Sequence, residues 1–177
     1  HYTNVDRSKL SYEVLSIRFS DDEVIIDGWG LIPDVQHYHG VETHGYTLEV
    51  VGKSHAFTVT GQIKNRNLTR FFDFKGWKKC NKGAVLVESC NYEMKNVGFE
   101  FRIKISDLKV DEDYKLYLMM HAKQANLRYR IPLFYVEKNE LIKSIGNKNY
   151  TIFSSYKHTK FNVITQHHYT RSLPSPQ

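Results

Sequence analysis

The chain has 177 residues, 41% of them hydrophobic and 14% aromatic, with 12 Tyr and 10 Phe leading the aromatic share. That is enough for one domain with a real core, and no apolar run nears the roughly 18 residues of a membrane-crossing helix, which predicts no transmembrane segment. The net charge of +6 is uneven: residues 138–177 hold six bases and one acid, whereas residues 1–137 hold 19 bases and 18 acids.

The chain begins at His1 rather than Met, which suggests a removed leader or a piece of something longer. His1 to Lys9 is polar and reads as a frayed end. Tyr12 to Phe19 reads as a first strand with Leu15, Ile17 and Phe19 on one side, and Ser20-Asp21-Asp22 as a turn. Glu23 to Ile32 returns as the second strand of a hairpin. Gly28 and Gly30 flank Trp29 there, the mark of a bulge or a close backbone approach beside a large ring. Pro33 ends this strand, and Asp34 to Gly45 is a loop rich in His, Gly and Tyr. Tyr46 to Val51 and His55 to Ile63 form a second predicted hairpin across Gly52-Lys53-Ser54. The aromatic cluster Phe71-Phe72-Asp73-Phe74 and a loop bounded by Cys80 and Cys90 follow.

Alternation is clearest in Val97-Gly98-Phe99-Glu100-Phe101-Arg102-Ile103-Lys104-Ile105. Its period of two describes a strand with one buried and one wet face. Ser106 to Asp113 reads as a polar turn, Tyr114 to Met120 as a return strand and Leu127 to Tyr135 as a third. Together they predict a three-strand meander facing everything upstream. Two weaker strands, Tyr150 to Ser154 and Tyr156 to Ile164, are placed on the sheet edge or in a separate extension. No helix-period segment exceeds about two turns. Short strands at this spacing predict an all-β antiparallel sandwich of about seven to nine strands. It would occupy residues 1–137, with a short basic C-terminal extension over residues 138–177. The expected core is Leu15, Ile17, Ile26, Trp29, Leu48, Phe57, Val59, Phe99, Phe101, Ile103, Leu116, Leu118 and Ile131.

The order Ile26-Asp27-Gly28-Trp29-Gly30-Leu31, then Val97-Gly98-Phe99-Glu100-Phe101, then Ile105-Ser106-Asp107-Leu108 before Asp113-Tyr114-Lys115-Leu116 resembles the immunoglobulin-like accessory domains of Gram-positive surface and wall-polymer proteins. The resemblance spans Tyr12 to Tyr135. It implies an immunoglobulin-like sandwich and a non-catalytic, secreted or cell-surface binding or spacer module.

Four features carry chemistry. Cys80 and Cys90, in a Lys/Asn/Gly-rich context with no competing zinc spacing, suit a disulfide, and that bond implies an oxidising compartment. The alternative is two free thiols in a cytosolic protein. His37 and His39 project to one side of an extended segment, and His44 and Glu42 could complete a three- or four-ligand zinc site with them. The bland alternative is a solvated loop. Lysines and rings interleave in the basic tail at Lys148, Tyr150, Tyr156, Lys157, Lys160 and Phe161. This pattern suits stacking on glycan and pairing with an anionic cell-wall polymer, or with nucleic acid if the protein is cytosolic. An edge hairpin protected by its lysines is the competing explanation. The carboxylate pairs Asp21/Asp22 and Asp111/Glu112/Asp113 fall in predicted turns, where acids are usually solvated caps. No nucleophile elbow or phosphate loop is present, so no enzyme and no cofactor is expected.

Overall fold

The computed structural model describes residues 11–31, 42–66, 95–123, 126–135, 140–155 and 158–165. Eleven strands arise among them: β1 (Ser11–Phe19), β2 (Glu23–Leu31), β3 (His44–Val51), β4 (Ala56–Thr60), β5 (Gln62–Lys64), β6 (Gly98–Lys104), β7 (Asp113–Ala122), β8 (Leu127–Pro132), β9 (Leu141–Ile145), β10 (Lys148–Ser155) and β11 (His158–Thr165). They form two antiparallel sheets. One is four-stranded in the order β1-β2-β6-β5; the other is seven-stranded in the order β4-β3-β7-β11-β10-β9, with β8 also on β7. The all-β sandwich is therefore present, and no helix among the described residues is long and apolar enough to cross a membrane.

The predicted meander is not one sheet. β6 pairs with β2 and β5, whereas β7 pairs with β3, β8 and β11. The connection between β6 and β7 crosses from one layer to the other. A single 3-10 turn, Ile105–Asp107, starts it, and the Ile105 N–H donates to the Asp22 carbonyl at 2.9 Å. Leu108 is buried, and the Tyr114 hydroxyl accepts from the Lys109 N–H at 2.8 Å. These anchors hold the crossing in one path.

A second crossing splits the predicted strand His55 to Ile63. The Gly61 N–H donates to the Tyr46 carbonyl at 2.8 Å, and a Cβ on Gly61 would lie 2.6 Å from the Phe101 ring. The chain leaves the larger sheet as β4 and enters the smaller one as β5 around this glycine. β4 is an edge strand, so Phe57 and Val59 are only partly buried.

Leu15 is the clearest departure from the expected core. The β1–β2 register runs Val14 opposite Gly28 and then Ser16 opposite Asp27, leaving Leu15 as the extra residue of a bulge. Val14 and Ile17 face the core, and Leu15 is 37% exposed. An inserted residue reverses the alternation that the sequence displays. The close approach expected at Gly28 is present on the opposing strand: a Cβ there would sit 2.4 Å from the Glu13 carbonyl oxygen and 2.7 Å from Phe99.

The core joins both layers through Ile26, Leu48, Phe99, Phe101, Ile103, Leu116 and Leu118, all essentially without exposure. The basic extension is continuous with it. β11 pairs with β7 through Lys160–Lys115, Phe161–Tyr114 and Asn162–Asp113, and Tyr150 and Ile152 of β10 are buried in the core.

Outside the smaller sheet, charges alternate in pairs. Arg18 meets Asp27 at 2.5 Å, Lys64 meets Glu100 at 2.9 Å, and Arg102 bridges Glu100 at 2.7 Å and Glu23 at 3.1 Å. The Lys64 hydrogen bond, with Arg102 beside it, holds the Glu100 carboxyl below its usual range. The basic partners are about half exposed, so each pair adds little stability.

Candidate functional site

The residues singled out in the sequence do not assemble into one site. Tyr150 is buried among core side chains and presents no ring for stacking. Lys148 is half-buried at the start of β10. Lys160 and Phe161 occupy adjacent backbone positions of β11, a strand hydrogen-bonded on both sides by β7 and β10. Tyr156 and Lys157 lie outside the described residues, as do His37, His39, Cys80 and Cys90.

His44 is fully buried at the start of β3. Its Nε2 donates to the Asn96 carbonyl at 2.7 Å, and its Nδ1 accepts from the Thr43 hydroxyl at 2.6 Å. Burial lowers its pKa, so the neutral ring is favoured. Both nitrogens are thus engaged by hydrogen bonds that tie the start of β3 to Asn96 and Thr43. Among the described residues no three His, Cys, Asp or Glu side chains gather as a ligand set.

A concavity lies elsewhere, along β1, an edge strand among the described residues. A cleft of about 510 Å³ is lined by Tyr12, Glu13, Val14, Leu15, Phe134 and Tyr135. Its volume is within the range of small-ligand sites. The sequence builds it in three steps. First, the bulge after Val14 turns Leu15 outward. Second, Leu133 is wholly buried and its N–H donates to the Leu116 carbonyl at 2.9 Å, which fixes the chain after β8. Phe134 is left 36% exposed. Third, the Tyr12 hydroxyl donates to the Pro132 carbonyl at 2.9 Å and accepts from the Phe134 N–H at 3.2 Å, tying that segment to β1. From behind, the Ser154 hydroxyl donates to the Tyr135 carbonyl, so β10 supports the cleft wall.

One carboxylate stands in this lining. Glu13 accepts from the Trp29 indole N–H at 3.2 Å, which orients it while leaving the residue exposed. Rings and a leucine beside an oriented carboxylate can cover the C–H face of a sugar and accept from its hydroxyls. The reading of the sequence missed all of these residues. Phe134-Tyr135 directly after a strand was the available signal, but the bulge that brings Leu15 beside them has no sequence mark.

No protein-family model matches the chain, and no curated protein is detectably similar to it.

Proposed function

We propose that this protein is a non-catalytic, immunoglobulin-like binding module acting outside the cell or at its surface, and that it holds glycan in the cleft between β1 and residues 133–135. The observation that carries this reading is the bulge. It spends a core-facing position of β1 to display Leu15 beside Phe134 and Tyr135, and bulges commonly re-aim a side chain at functional edges. The lining supplies one carboxylate, Glu13, where glycoside cleavage typically uses two; this favours holding a sugar over cutting it.

Two features support the immunoglobulin-like part. The order β1-β2-β6-β5 facing β4-β3-β7-β8 follows the A-B-E-D and C′-C-F-G arrangement. Tyr114, at the start of β7, caps the preceding turn through its hydroxyl, as the tyrosine corner of such domains does.

The binding claim is tested on an array of immobilised glycans. Wild type should retain a subset of neutral glycans, and Phe134→Ala and Tyr135→Ala should each weaken retention about tenfold, the loss of one stacked ring. Unchanged retention in both variants would remove the cleft from the account.

The extracellular part rests on Cys80 and Cys90. Intact mass of the untreated protein should show the loss of two hydrogens that a disulfide between them produces. Two alkylatable thiols would instead favour a cytosolic protein and the nucleic-acid alternative. The excess charge in residues 138–177 keeps an anionic wall polymer in view as a second ligand.

A further inference from the structure

We propose that the cleft between β1 and residues 133–135 sorts glycans by charge: it holds an amino sugar bearing a free ammonium group more tightly than the N-acetylated form of the same sugar. This inference rests on the glycan reading of the cleft and adds to it the class of sugar.

Among the described residues, the lining carries one charge. Glu13 supplies a carboxylate, the other lining residues supply rings and aliphatic groups, and no Lys, Arg or His is among them. That charge is not compensated. Elsewhere on the smaller sheet the outward acids have bases: Asp27 meets Arg18, Glu23 meets Arg102, and Glu100 meets both Lys64 and Arg102. Glu13 has no such partner among the described residues; its side chain bonds to the Trp29 indole N–H at 3.2 Å. Two bases that reach the β1–β2 hairpin are turned to other groups. Arg18 is on Asp27, and Lys143 of β9 donates to the Ser20 carbonyl at 2.5 Å.

The carboxylate is also held in place. Glu13 and Trp29 are cross-strand partners, and Trp29 is 8% exposed, so the donor itself is fixed by burial. A neutral N–H orients the group without cancelling its charge. The bond engages Oε2 and leaves Oε1 to a ligand. The aromatic wall is fixed by the Tyr12 hydroxyl, which bonds to both the Pro132 carbonyl and the Phe134 N–H. A carboxylate beside ring faces is matched to an ammonium. The carboxylate attracts the cation by charge, and a ring face attracts it through its quadrupole. An anionic sugar meets repulsion from the same carboxylate. N-acetylation replaces the ammonium with a neutral amide, which keeps the ring contacts and hydroxyl bonds and loses the charge terms. Glu13 is exposed, so the ion pair is screened by water and contributes modestly, and a cation over an exposed ring contributes a similar amount. Together they support a preference of about tenfold.

The test compares a linked glucosamine oligomer with its fully N-acetylated counterpart of the same length. Each is titrated into the protein by calorimetry at low ionic strength, at a pH where the amine is charged. Wild type should bind the glucosamine oligomer about tenfold more tightly. Glu13→Gln, at an exposed position, should fold normally by circular dichroism. It should weaken the glucosamine oligomer, leave the N-acetylated one unchanged and bring the two affinities within about twofold. Added salt should shrink the wild-type ratio in the same direction. Equal affinities in wild type, or tighter binding of the N-acetylated oligomer, would overturn the charge preference and leave the glycan reading standing. A tenfold ratio that persists in Glu13→Gln would overturn it too, because the ammonium would then be held elsewhere. Binding of neither oligomer would overturn it together with the reading of the cleft for this class of sugar.

Discussion

Phe99→Ala should lower the unfolding free energy by about 3–5 kcal/mol, the range for removing a buried phenylalanine ring. Phe99 is 1% exposed in β6 and lies directly across from Gly28 of β2. Its ring is 4.9 Å from that of Phe101 and 5.4 Å from that of Tyr46, which belongs to the opposite sheet. This ring occupies the space above Gly28, where a Cβ would come within 2.7 Å of it, and it lies in ordinary contact range, 3.6 Å, of a Cβ on Gly30, which Met120 and Tyr46 crowd more closely. Glycines cannot relax into the void that alanine leaves, so the loss should fall toward the upper part of the range. Urea unfolding of the two proteins measures it. A loss below about 1.5 kcal/mol would mean that the cavity collapses and that the ring is not the seal between layers.

Tyr46→Phe should cost about 1–3 kcal/mol although it removes a single oxygen. Tyr46 is 2% exposed on β3. Its hydroxyl donates to the Gly30 carbonyl at 2.5 Å and lies 3.1 Å from the Val97 carbonyl. Both acceptors belong to the smaller sheet or its approach, so this hydroxyl ties one layer to the other at the end where the chain enters β3 and β6. Burial pushes its pKa well up, which keeps the proton on the oxygen and the bond intact through alkaline pH. Phenylalanine preserves the ring contacts with His44 and Phe99 and deletes the bond alone. Equal urea midpoints for the two proteins would show that the tie contributes nothing.

The sequence discloses strands better than it discloses which layer each joins. Alternation around Phe99 to Ile105 reports the buried face correctly, because every second residue faces the same core whatever sheet holds the strand. It says nothing of partners. The β6–β7 crossing depends on Ile105, Leu108 and Tyr114 finding distant or local backbone groups, and the β4–β5 crossing depends on a glycine that fits under Phe101. β9, Leu141–Ile145, escaped notice because its outward residues include Ile142 at 59% exposure and Ile145 at 39%, which blurs the period. The tail is legible as strands, but the choice between the sheet edge and a separate extension is not, since that placement rests on three backbone pairings with β7.

The candidate site was less legible still. Interleaved lysines and rings in the tail attracted attention because local composition is visible in a string, yet Tyr150 is consumed by the core. The cleft residues stand about 120 positions apart in the sequence: Tyr12 bonds to Pro132 across that separation. Glu112 teaches the same lesson. Its place in a predicted turn suggests a solvated acid, but it accepts from the backbone N–H groups of Lys53 and Ser54 and from the Ser54 hydroxyl, capping the β3–β4 turn. Those bonds, led by the ones from Ser54, hold its carboxyl below the usual range.

Isotope-labelled protein titrated with the neutral glycan retained most strongly on the array gives the most direct measurement of where ligand sits. Shifts concentrated on Tyr12, Leu15, Phe134 and Tyr135, with Lys148 and residues 158–165 unmoved, are the predicted result. Shifts confined to the basic tail, with the bulge in β1 silent, would contradict it.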